Sequence, residues 1–149
     1  MSDDQVLGAR YWIEAGGFRH CMEVLLAEMD TQSNGMPANR AALPIYYLAS
    51  HAAELLLKAA LLKRGTTNAE IRKYDLRHDL AALTDKLKTY GVVITDQTTG
   101  TIGQLSGQHR EHHLRYPSEG SVMLPHPQAL RDMLNELILC VRVGQRSGA

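Results

Sequence analysis

The sequence is short of the residues that staple small folds or build sheets. Among 149 residues there are two cysteines, Cys21 and Cys140, both in apolar stretches. A disulfide framework needs more, so the expectation is a protein of the reducing cytoplasm with both thiols in the core. Aromatic residues make up 5% of the chain, and the one β-branched run is Val92-Val93-Ile94, which leaves little for strands. Charge of neither sign dominates: 16 basic residues face 16 acidic ones. A basic field over the whole domain, the simplest sign of nucleic-acid binding, is therefore absent. No unbroken apolar run nears the roughly 18 residues of a membrane span, so no membrane partner is expected. The opening MSDDQVLGAR is acidic and polar and does not read as a secretory signal. Gly-rich phosphate loops, G-x-S-x-G elbows and H-E-x-x-H are missing. No metal or cofactor is expected.

What the sequence does have is helical periodicity. Leu7, Tyr11, Phe18, Cys21, Met22, Leu25 and Met29 share one face of a helix expected over about 4–29. Glu14 falls on that stripe. Gly16-Gly17 predicts a kink or a close helix crossing. A second helix is expected over about 40–64, stopped by Gly65 and apolar almost all round from Ile45 to Leu62. A single domain of this size covers only part of such a surface, which points to a central helix or a homodimer. The polar stretch 66–77 has room for a turn of helix. Further helices are expected over about 78–90, from Asp96 or Thr98 to about 114, and from Pro127 through Val141. The whole chain, 1–149, reads as one all-α domain. It is an antiparallel up-and-down bundle of four long helices and a shorter one, with its core over about 5–143 and a frayed tail beyond.

Two constellations carry chemistry. On the second helix Tyr47, His51, Glu54 and Lys58 follow one another in steps of four, three and four, so they line one edge. Glu54 precedes Lys58 in the order that favours an ion pair. One reading is a structural pair that holds a buried helix in register. The other is a ligand pocket with Lys58 facing a phosphate and His51 assisting. The second constellation is His109-Arg110-Glu111-His112-His113-Leu114-Arg115. His109 and His113 have the spacing of two metal ligands, but no third ligand accompanies them. Arg110, His113 and Arg115 have the chemistry to contact phosphate or an RNA backbone, or to pair with local carboxylates.

His51-Ala-Ala-Glu54-Leu-Leu-Leu-Lys58, followed by His78-Asp79-Leu80 and later by Leu114-Arg115-Tyr116-Pro117, resembles the HEPN domain family over roughly 5–143. The resemblance implies a small helical bundle, often dimeric, of toxin–antitoxin, antiviral and stress systems. It implies one of two activities. Some members are metal-independent ribonucleases whose arginine and histidine are separated by four to six residues, with the site formed across a dimer. Others bind nucleotides or act as partner proteins. Here Arg110 lies too close to His112 and His113 for that spacing. Arg72 and His78 fit it, but earlier in the chain than the motif usually lies and with Lys73 next to the arginine. The catalytic candidates are therefore Arg110, His113, Arg72 and His78. The ligand-binding candidates are His51, Glu54, Lys58, Arg110, His113 and Arg115. The expectation is a dimeric, non-catalytic module for nucleotide, RNA or a protein partner. A ribonuclease and a purely structural interaction subunit are the alternatives.

Overall fold

A computed structural model describes residues 1–28, 35–36, 42–73, 75–110 and 124–143, with only the main chain at 42 and 108–110. The described residues form six helices and no strand: α1 (Asp3–Glu28), α2 (Ala42–Lys63), α3 (Asn68–Ile71), α4 (Leu80–Lys88), α5 (Asp96–Arg110) and α6 (Pro127–Arg142).

The apolar sequence of α2 makes it the axis of the molecule. α1, α4, α5 and α6 all pack on it. Ile45, Tyr46, Ala49, Leu57 and Leu61 are completely enclosed. One chain thus covers the surface that suggested a dimer. α2 is also long and apolar enough, by length and composition, to cross a membrane, although no unbroken apolar run foretold it; 78% of that window is buried inside the fold. Its apolarity is spent on the core.

Contacts along the helices give their directions. Gly8 lies against Leu62, and Phe18 against His51, so α1 and α2 run in opposite senses. α6 runs with α2: the Tyr46 hydroxyl donates to the Pro125 carbonyl, and Lys63 Nζ donates to the Val141 carbonyl at the other end. Between α2 and α4 the chain must turn back. Gly65, at φ 99°, ends α2. The Thr66 and Gly65 amides bond to the Leu61 and Leu62 carbonyls, which is a Schellman stop. Thr67 and Glu70 then form a reciprocal capping box that starts α3, satisfying two orphan amides. The chain returns along α2 until His78, in the left-handed region at φ 58°, turns it into α4. Asp79 caps that helix by accepting from the Ala82 amide. Ser106 of α5 donates to the same Asp79 oxygen at 3.1 Å. α5 has its own clamp: Glu136 accepts from the Thr95 amide and the Thr95 and Thr98 hydroxyls.

Several expectations fail locally. Gly16 and Gly17 sit in an unbroken helix with open space where a Cβ would stand. At Gly8 a Cβ would meet Leu62 at 3.5 Å, an ordinary contact. Cys21 is exposed, and only Cys140 is buried. The polypeptide turns Cys21 outward while the next residue, Met22, fills the core. Glu14 is half-exposed and pairs with Arg10 at 2.9 Å. Met29 and the tail from 144 lie outside the described residues.

Leu61→Ala should cost about 2–5 kcal/mol by urea denaturation, because it opens a hole in the centre of the core. Val93→Ala, at a site 88% exposed, should stay within about 0.5 kcal/mol. Burial alone pushes the Glu136 carboxyl up, but the three threonine hydrogen bonds outweigh it and leave the group below the ordinary 4.5. A depressed carboxyl stabilises the fold above its unfolded pKa and loses that contribution as pH falls through its folded value. Glu136→Gln should therefore be less stable than the natural chain at pH 7, and the gap should close below about pH 4.

Candidate functional site

The polar edge of α2 forms as its spacing predicts. The Tyr47 ring lies nearly parallel to His51, with centroids 6.0 Å apart. Phe18 meets His51 edge-on at 4.5 Å. His51 Nδ1 stands 3.9 Å from Glu54 Oε2. Glu54 itself is 1% exposed. Lys58 Nζ donates to its Oε1 at 2.6 Å from one turn further along the helix. A carboxylate this deep demands such a partner, since an unpaired buried charge is very costly.

The same oxygen has a second partner from a distant segment. His78 Nδ1 lies 2.6 Å from Glu54 Oε1. An ionised carboxylate only accepts, so opposite one Nδ1 is the donor. The His78 side chain is 46% exposed and that of Lys58 12%. The left-handed backbone at His78 is what carries the ring back over α2. Non-glycine residues seldom adopt that region, and histidine is among those that tolerate it.

Lys58 and His78 open onto a cavity of about 290 Å³ between α1, α2 and the returning segment; Tyr11, Asn68, Arg72 and Arg77 complete its polar lining. Arg72 and Arg77 make no ion pair among the described residues. Burial raises the Tyr11 phenol above its usual value, and the nearby carboxylates of Glu14 and Glu54 push it further in that direction. The phenol therefore stays neutral, a hydroxyl able to donate. Two arginines, a lysine, an imidazole and a phenol thus surround a recess with no carboxylate in its lining. That arrangement suits an anion, and a phosphate above all.

The structure joins two groups of candidates that the sequence kept apart. Lys58 and Glu54 of the helical stripe meet Arg72 and His78 of the arginine–histidine pair. His51 is packed between Phe18 and Tyr47 and does not line the recess. Arg77 and Tyr11 were not foreseen as site residues; Arg77, adjacent to His78, was the readable signal. Arg110 ends α5, and its side chain is outside the described residues, as are His113 and Arg115. Ser106, one turn before Arg110, is bonded to Asp79, so the end of α5 reaches the side of the molecule where His78 lies. Among the described residues no group of His, Cys, Asp and Glu has the arrangement to hold a metal ion. Compared with protein-family models, with curated proteins and with solved structures, the chain matches none.

Lys58→Met should destabilise the fold by about 3 kcal/mol in denaturant titration, because it strands a buried carboxylate. Adding Glu54→Leu to that variant should recover most of the loss. A double variant no more stable than Lys58→Met would show that the pair does not carry the cost.

Proposed function

We propose that the chain is a HEPN-like helical domain, a cytoplasmic, non-catalytic module that binds the phosphate of a nucleotide or of RNA. The observation that carries this reading is the convergence of Lys58, Arg72, Arg77 and His78 on one recess. The positive charge is local, so the zero net charge of the chain does not count against it. An up-and-down bundle belongs to the reading through the helix pattern and the resemblance, and a homodimer and a protein partner in a stress, defence or toxin–antitoxin setting through the resemblance. α2, buried within one chain, no longer argues for dimerisation.

Ribonuclease activity is the second reading, and the 2.6 Å contact between His78 Nδ1 and Glu54 Oε1 favours it. A buried carboxylate that fixes an imidazole's tautomer is a recurring device of general-base chemistry. His78 would take the proton of a ribose 2′-hydroxyl as that oxygen attacks the adjacent phosphorus. The 5′-oxygen would leave with a proton from water, and Arg72 would steady the phosphoryl charge.

Fluorescence anisotropy with a labelled single-stranded RNA and with a labelled nucleoside triphosphate, at low salt, tests the first reading. Arg72→Ala/Arg77→Ala, at two exposed sites, should weaken binding at least about tenfold and flatten its salt dependence. Undetectable binding by the natural chain, or no loss in the variant, contradicts it and leaves a structural interaction subunit. For the second reading, His78→Ala should abolish RNA cleavage while RNA is still bound; cleavage at the natural rate excludes His78 as the base.

A further inference from the structure

Trp12, the chain's one tryptophan, stands at a second cavity, separate from the recess beside His78. This one has about 490 Å³ and an apolar wall of Gly8, Ala9, Trp12, Ala59, Leu62 and Val141. Its size falls within the range of small-molecule sites, roughly 300–1,000 Å³. The room comes from small residues: glycine and alanine occupy positions where larger side chains would fill the seam between α1 and α2. A Cβ at Gly8 would meet Leu62 at 3.5 Å, an ordinary contact, so the glycine is not forced by crowding.

Two cations stand at the rim. Arg142 holds its guanidinium 5.8 Å from the centre of the Trp12 ring and makes no ion pair among the described residues. Lys63 Nζ donates to the Val141 carbonyl at 2.9 Å, which occupies one of its three hydrogens. The one carboxylate at the rim, Asp4, accepts from the Asn68 amide at 3.3 Å. Two positive charges against one negative leave the mouth a net cation above an apolar chamber. Beyond Trp12 and Arg142 a more polar cavity of about 370 Å³ continues past Arg19 and Glu23, so Arg142 marks the border between apolar and polar space.

We infer that this cavity binds a medium-chain aliphatic monocarboxylate, its hydrocarbon against Trp12, Leu62 and Val141 and its carboxylate on Arg142 and Lys63. The apolar body supplies the affinity, and the cation pair selects the charged end.

Trp12 reports on the site directly, since all tryptophan emission comes from it. Titration with decanoate should give a saturable change in emission below the onset of micelles. Octanoate should bind about fifteenfold more weakly, at roughly fourfold per methylene. Decanol, which lacks the charge, should bind at least about tenfold more weakly than decanoate. Arg142→Gln should weaken decanoate by a similar factor and leave decanol unchanged. Gly8→Leu should keep the fold and abolish both, because its side chain enters the chamber. No saturable change, decanol equal to decanoate, or full binding by a folded Gly8→Leu would each overturn the assignment.

Discussion

The carboxylate of Glu54 is the constraint around which the site is built. It lies in the middle of the most apolar helix, 1% exposed, where an unpaired charge would cost several kcal/mol. Lys58 and His78 both reach its Oε1. Lys58 comes from the same helix one turn on, and His78 comes from a segment that has left α2, turned at Gly65 and travelled back. One buried oxygen therefore ties the segment between α2 and α4 back to α2. It also holds an imidazole and an ammonium at the edge of the cationic recess. A leucine in place of the pair would fill such a space at least as well, so the charges are better understood as positioning devices than as a source of stability.

The fold was largely legible because α2 is so one-sided in composition. An almost continuous apolar helix of this length has to sit in the centre, and Gly65, Gly91 and Pro127 stand at the helix ends where they are observed. The dimer argument drawn from that same helix had no way to know that four helices of its own chain would cover it. The errors on α1 have a common origin. Its apolar residues wind further round the helix than one narrow stripe, so Cys21 and Glu14 were placed on the inner face beside Met22, which is buried, while Ala15, which is also buried, was left off it. No neighbour comes close to Gly16-Gly17; side-chain spacing says which residues share a face and nothing about where a neighbour crosses.

The site was legible only in halves. Steps of four, three and four placed Tyr47, His51, Glu54 and Lys58 on one edge, since helical spacing is local information. That His78 joins them depends on a return path set by a Schellman stop, a capping box and a left-handed histidine, and no periodicity records that. The arginine–histidine spacing of the family resemblance marked Arg72 and His78 but gave no reason to connect them to the stripe. The shared Glu54 oxygen and the shared cavity give that reason. Arg77 followed from neither pattern, and its place at the recess comes from the turn alone.

The most direct test of this account is a crystal structure of Glu54→Leu. If the buried carboxylate holds the returning segment, the 72–79 chain leaves α2 in that variant, His78 gives up its left-handed conformation, and Lys58 turns out to solvent. If His78 and Lys58 keep their positions without the carboxylate, the recess is set by packing, and the central role of Glu54 is wrong.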